Sequence, residues 1–431
     1  MTAEDDAPTH GLPARAANRL APRALGRDFR WLWSASVVSN IGDGLLLSAG
    51  PLLVTTVTRE PFAVALAVFM QWLPGVIVGL PAGALVDRLD RRRLSMAVNL
   101  IRAGVLALLT FTIATGAMSL PVLYASLFAL ASAETFADNA GGALLATSVP
   151  KEHLGVANSR LTGTRIVAND LVGPPLGAFL FGAGLAVPFG VNAICMLVAA
   201  VLVSRIVSRP IAGAGTGEAR HLRREIVEGI RWLWDHPPVR ALFLTIFFFN
   251  VTFGAAFSLY VLLAKERLGL DDIGFGFLIT AGAIGGLIGS VSYPRLERRF
   301  SLATLMRAGL VLETTTHLVL ATTTLPLVAG GMMLIFGIHE VIWGTTSTTV
   351  RQRAVPAALM GRVSSVYMLG LLGGLVIGSL IGGALAQGFG ITAPFWFAFV
   401  GSAILVVLMW RTLDDIAHAP AVDDGPEPAA S

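Results

Sequence analysis

The sequence predicts an all-α polytopic membrane protein with 12 transmembrane helices in two pseudo-symmetric six-helix halves. Three observations carry this. Hydrophobic residues make up 55% of the 431-residue chain and charged residues only 13%, about half the ~25% usual in soluble domains, and mean hydropathy is +0.73. Apolar residues gather into runs long enough to cross ~30 Å of hydrocarbon at ~1.5 Å per helical residue. Short motifs recur at a nearly constant offset between the two halves of the chain.

Residues 1–30 are polar and read as a cytoplasmic segment. The apolar run after them is a spanning length rather than a signal-peptide core. Six spans follow, at 31–57, 62–86, 94–115, 120–148, 161–184 and 186–204, forming the N-terminal half, 31–204. The 205–240 linker opens on Ala212-Gly213-Ala214-Gly215-Thr216-Gly217 and then places Leu222, Ile226, Ile230 and Leu233 at helical spacing against arginines. This predicts an amphipathic interfacial helix under the bundle, ended by Pro237-Pro238. Six more spans, at 241–263, 273–294, 302–323, 325–348, 363–387 and 391–410, form the C-terminal half, 241–410. The tail 411–431, with Asp423-Asp424-Gly425-Pro426-Glu427-Pro428, reads as disordered. Every span must be helical, because backbone groups in lipid need internal partners.

Orientation follows from the loop cations. Nineteen lysines and arginines fall in the loops of one side, against Arg59, Lys265 and Arg267 on the other. The rich side is cytoplasmic, so both termini are expected there. The arginine bias, with only Lys151 and Lys265 as lysines, associates the chain with a GC-rich bacterial genome and hence with a bacterial inner membrane.

Val149-Pro150…Gly155…Ser159 returns as Val355-Pro356…Gly361…Ser365. Gly173-Pro174-Pro175-Leu176-Gly177 is echoed by Gly378-Ser379-Leu380-Ile381-Gly382, and Arg88-Leu89-Asp90-Arg91-Arg92 by Arg295-Leu296-Glu297-Arg298-Arg299. The same offset sets Asp43 opposite Asn250. Parallel repeats of six spans place a substrate site between the halves near the midplane.

The loop between spans two and three reads Gly83-Ala84-Leu85-Val86-Asp87-Arg88-Leu89-Asp90-Arg91-Arg92. It resembles the G-x-L-x-D-R-x-G-R-R signature of the major facilitator superfamily at Gly83, Leu85, Asp87, Arg88, Arg91 and Arg92, with Asp90 in place of the second glycine. Together with Glu228-Gly229-Ile230-Arg231-Trp232-Leu233 and Arg351-Gln352-Arg353…Pro356…Gly361-Arg362-Val363, it is similar to the branch of enterobactin exporters and macrolide efflux proteins. The resemblance covers roughly 30–412. It implies alternating access, a cavity lined by spans one, four, seven and ten, and a switch in which Asp87 meets the end of span eleven. In the second copy Pro294 stands at the position of Asp87, so the acid belongs to one half only.

Ionisable groups inside spans are costly and are functional candidates. Asp43, in span one, is the leading candidate for proton or cation binding; Glu134 and Asp138 share a face of span four and can share a proton. Asn250 and Glu340 fall in spans that the resemblance places on the cavity. Arg165 and Asp170 precede Gly173-Pro174-Pro175, a loose match to the Gly-Pro motif of antiporters and a candidate hinge. Alternatively Asp138 is solvated at the cytoplasmic end or pairs with Arg102, and Asp170 pairs with Arg165 or Arg102; Glu313–His317 reads as a structural pair. The aromatics Trp72, Phe136, Phe247, Phe248, Phe249, Phe253, Phe257, Tyr260 and Trp343 suit an amphipathic ligand.

Cys195 is the sole cysteine, so no internal disulfide or thiolate cluster is possible. No metal site, cofactor motif, phosphate-binding loop or hydrolase elbow is present, so an enzyme or an ATP-driven motor is not expected. The pI near 9.7 comes from topogenic arginines rather than a nucleic-acid surface. The expected partners are a small-molecule substrate, protons and lipid, with the chain acting as a monomer. The expected function is proton-coupled efflux of a drug-like or siderophore-like molecule. Import or uniport of a metabolite or organic ion is the alternative, and a transporter-like sensor or scaffold the second.

Overall fold

The computed structural model describes residues 25–86, 89–207 and 222–413. Asp87 and Arg88 of the predicted switch, the glycine-rich start of the linker and the acidic tail lie outside the described residues. Helices follow one another in the predicted order: α1 Gly26–Val57, α2 Pro61–Val86, α3 Arg91–Ala114, α4 Leu120–Ser148, α5 Lys151–Ala183 and α6 Val187–Ser204. The amphipathic α7 is Leu222–Asp235. The second half holds α8 Pro237–Arg267, α9 Asp272–Arg299, α10 Leu302–Thr322, α11 Pro326–Ala354, α12 Met360–Phe389 and α13 Ala393–Met409. Among the described residues, ten of these are long and apolar enough to cross a membrane. The other two predicted spans are α13, which is apolar but short, and α10, which carries Arg307, Glu313, His317 and a run of threonines.

Local chemistry sets the ends. The side chains of Asp90, Asp271 and Ser301 accept from Arg93 N, Gly274 N and Thr304 N, capping α3, α9 and α10. Asp90 therefore does a job that the expected glycine cannot; its φ of −62° needs no glycine. Proline opens α4, α6, α8, α11 and α13. Gly116, Gly269 and Gly390, at φ of +70°, +65° and +91°, turn the chain after α3, α8 and α12 in a region other residues avoid.

The repeat seen in sequence is a packing repeat. A Cβ on Gly173 of α5 would fall on the backbone of Gly44 in α1, and one on Gly177 would meet Leu45 O and Ser48 Oγ. In the other half, Gly378 and Gly382 of α12 stand in the same way against Val251 and Ala255 of α8. Gly44 and Ser48 take the numbers of Val251 and Ala255 under the offset that relates Asp43 to Asn250. Small residues let these helices approach backbone to backbone, the means by which helices associate where lipid removes the hydrophobic driving force.

The halves meet along α2–α12 and α5–α9. Gly75 abuts Leu372, Gly383 abuts Phe62 and Ala65, and Gly276 abuts Pro174, Pro175 and Ala178. One buried cluster, including Leu53, Val64, Leu259, Leu263, Phe275 and Leu278, joins both halves at the end with the short 57–61 and 267–272 loops. At the opposite end the cores are separate: Phe29, Leu32, Leu144 and Val203 in one half, Val239, Val355, Val363 and Val366 in the other. The molecule is thus sealed at one end and parted at the other.

Helix α7 keeps its predicted amphipathic form and packs on the C-terminal half. Leu233, Ile226 and Trp232 join the cluster around Val363 and Val366, Gly229 lies against Arg362 O, and Glu228 pairs with Arg362 at 2.9 Å.

Candidate substrate cavity and its charged wall

A cavity of about 1140 Å³ lies between the halves. Its wall comes almost wholly from α1–α6; the second half contributes Ser364, Ser365, Met368, Leu369 and Leu372 of α12. The apolar part includes Leu46, Leu53, Leu109, Leu123, Leu127 and Phe189, with Trp72 at one side. Among the described residues, six ionisable groups line it: Asp43, Arg102, Glu134, Asp138, Arg165 and Asp170.

Asp43 and Arg102 form an ion pair between α1 and α3, with side chains 16% and 5% exposed. Gly42 and Gly44 flank Asp43; a Cβ on the first would strike Asn192 and on the second the backbone of α5, so glycines let α1 sit deep among its neighbours. Arg102 is also within electrostatic reach of Glu134 and Asp138, and one buried guanidinium faces three carboxylates. Asp138 and Asp170 are the alternative partners the sequence offers for Arg102. The structure gives it to Asp43, because α1 and α3 both pack on α6 and these side chains meet beside it. Glu134 and Asp138 share one face of α4, as their spacing predicts, and both are exposed to the cavity.

Arg165 and Asp170 pair at 3.2 Å, as one of the predicted alternatives had it. The pairing depends on local backbone. Arg165–Val172 is a π-helical turn within α5. Pro174 and Pro175 lack the N–H groups that Asp170 and Leu171 carbonyls would otherwise receive, which favours the wider turn. Widening brings side chains five apart onto one face, which an α-helix does not.

Asn250 and Glu340 do not line the cavity. Asn250 Nδ2 donates to Ile246 O at 2.8 Å and its Cβ packs against Gly374, so the repeat mate of Asp43 serves helix packing. Glu340 is exposed on α11, within electrostatic reach of Arg165 and Asp170. Of the aromatics named from the sequence, Trp72 alone lines the cavity. Phe249 stacks on Trp343, and Phe253 and Phe257 stack on each other and on Phe336. Hydropathy does not distinguish an aromatic facing a cavity from one facing a neighbour.

Gly83 lies in α2. Arg91 Nη1 donates to Ala143 O at 3.1 Å, and Arg92 Nη2 to Ser204 O. These are carbonyls of the last turns of α4 and α6, where a cation also meets the negative helix end. The basic cluster ties three helices together at the parted end.

The family model MFS_3, described as "Transmembrane secretion effector", matches residues 17–424. The chain belongs to this major facilitator family. It is a membrane transporter and not an enzyme. It is 28% identical over 394 residues to the multidrug efflux pump Tap of Mycolicibacterium fortuitum, covering 84% of this chain and 90% of that one. Against the multi-drug resistance efflux pump PmrA of Streptococcus pneumoniae it is 24% identical over 413 residues, covering 90% and 96%. Among solved structures, a bacterial homologue of the iron transporter ferroportin in the inward-facing state aligns with a TM-score of 0.72 at 18% identity, covering 91% of this chain and 99% of that one. The outward-facing state with soaked iron aligns with a TM-score of 0.56 at 17% identity, covering 91% and 100%. Both structural likenesses concern the fold.

Proposed function

We propose that this transporter exports amphipathic, positively charged drug-like molecules in exchange for protons by alternating access. The observation that carries the reading is the charged wall: four carboxylates and two arginines line an otherwise apolar cavity, leaving net negative charge against which a cation can settle. A substrate cation and a proton then compete for the Asp43, Glu134 and Asp138 group, which is the requirement for exchange. Efflux pumps among the relatives support the direction. The parted end bears the arginine-rich loops, so we place it, with both termini, at the cytoplasmic face of the bacterial plasma membrane. The better fit to the inward-facing relative agrees with this. In the proposed cycle the α2–α12 and α5–α9 contacts are where the 31–204 and 241–410 halves rock, with the π-turn and Gly173-Pro174-Pro175 as the hinge.

The test is efflux of ethidium, a lipophilic cation, from a pump-deficient host expressing the chain. Efflux is expected to stop when an uncoupler collapses the proton gradient and to fall at least tenfold in Asp43→Asn. Gradient-independent efflux would sink proton coupling. Uptake instead of efflux would sink the direction.

A further inference from the structure

The second half holds an ionisable cluster that the cavity does not use. Glu313 and His317 of α10 and His339 of α11 are 3%, 0% and 3% exposed. His339 Nε2 stands 3.0 Å from Glu313 Oε2, and His317 Nε2 stands 3.3 Å from Glu313 Oε1. One carboxylate therefore hydrogen-bonds His339 and lies beside the imidazole of His317. The predicted Glu313–His317 pair is half of this arrangement; α11 supplies the rest.

The surroundings are apolar. Phe257 meets His317 edge-on, and Phe336 and Trp343 meet His339 in the same manner. Gly309 leaves the necessary room, since a Cβ there would come 2.9 Å from His339 Nδ1 and 3.0 Å from Trp343. Helix α13 packs on α10 and carries no ionisable residue between Ala393 and Met409. Helix α8 presents Phe253 and Phe257 to this region. Glu340, next along α11, is within electrostatic reach of Glu313 and His339. Among the described residues, the ion pairs of Glu313 are with His317 and His339.

Charge counting decides what this cluster holds. A carboxylate between two neutral imidazoles is a buried net charge of minus one, and among the described residues its ion-pair partners are these two imidazoles. One proton, on an imidazole or shared with the carboxylate, makes the cluster neutral; a second makes it positive. Uncompensated buried charge costs several kcal/mol, so the singly protonated state is the favoured one. His339 Nε2 and Glu313 Oε2 are in hydrogen-bond contact, an arrangement for sharing a proton, while His317 Nε2 stands beside Glu313 Oε1 without a hydrogen bond.

We propose that Glu313, His317 and His339 form a second proton-binding site, in the core of the C-terminal half and walled off from the substrate cavity. It takes one proton from water and returns it, the cluster passing between charges of minus one and zero. The site does not depend on Asp43 being the coupling group.

Trp343 provides the test, because a protonated imidazole quenches a neighbouring indole and the His339 and Trp343 ring centroids are 6.5 Å apart. The full chain in nanodiscs is titrated from about pH 5 to 9, and the Trp343 signal is taken as wild type minus Trp343→Phe. A sigmoidal quench is expected, lost in His339→Gln, displaced in Glu313→Gln, and retained in Asp43→Asn. A flat Trp343 signal in the folded wild-type protein would overturn the proposal, and this arm needs no cluster variant to fold. A sigmoid unchanged in both His339→Gln and Glu313→Gln would overturn it equally. If Asp43→Asn abolishes efflux but keeps the quench, the two proton sites are separate; loss of the quench alone leaves the cavity reading standing.

Discussion

Replacing Arg102 with methionine removes the one buried cation on the cavity wall while keeping most of its apolar stem. The partner left behind is Asp43, in contact with the guanidinium and 16% exposed. At about 4 Å and an effective dielectric near 20, a pair of unit charges is worth about 4 kcal/mol. Stranding one partner of a buried pair costs about 3–5 kcal/mol. Glu134 and Asp138 face the cavity and are screened, so they add less. We expect Arg102→Met to lower unfolding stability by about 3–4 kcal/mol. The double variant with Asp43→Asn should recover about half of that, because the stranded carboxylate is gone. Equilibrium unfolding in mixed SDS micelles, followed by circular dichroism, measures both. A single variant within about 0.5 kcal/mol of wild type, or purely additive effects, would refute the claim that the pair holds α1 against α3.

Two further outcomes follow from packing and from the parted end. Gly337→Ala places a Cβ on the backbone of Gly282, where α11 crosses α9, and should cost about 1–3 kcal/mol in the same unfolding assay, whereas Gly331→Ala, with open space around it, should be neutral. In a background lacking Cys195, Ser39→Cys and Ser364→Cys line the cavity and should react in everted vesicles with a membrane-impermeant maleimide, while Leu263→Cys, in the sealed cluster and away from the cavity wall, should resist; equal labelling of all three would contradict the sealed end.

Helix positions were legible because they follow from one-dimensional facts. Span length and apolarity located α1–α6 and α8–α13 to within a few residues at most ends, and loop arginines marked one face. The largest departure is α5, which begins at Lys151 rather than at 161. Its first turns are polar, so hydropathy stops short, while the backbone continues its hydrogen bonds past the lipid boundary. The ionisable residues inside spans were also visible, since each is an exception in an apolar run. Their partners were not. Arg102 could have met any of several acids, and Asn250 shares the repeat position of Asp43 without sharing its cavity.

The sequence by itself determined the number, order and character of the helices, the division into similar halves and the presence of Asp43, Glu134, Asp138, Arg165 and Asp170 as exceptions. These depend on composition and spacing along a single strand of chain. Only the tertiary structure decided that Asp43 takes Arg102, that the cavity is walled by the first half, and that His339 completes a cluster with Glu313 and His317. Those outcomes turn on which helix faces meet, which glycines such as Gly44 and Gly173 set by permitting close approach. A few ångströms of approach between helices far apart in sequence select the partner of each buried charge.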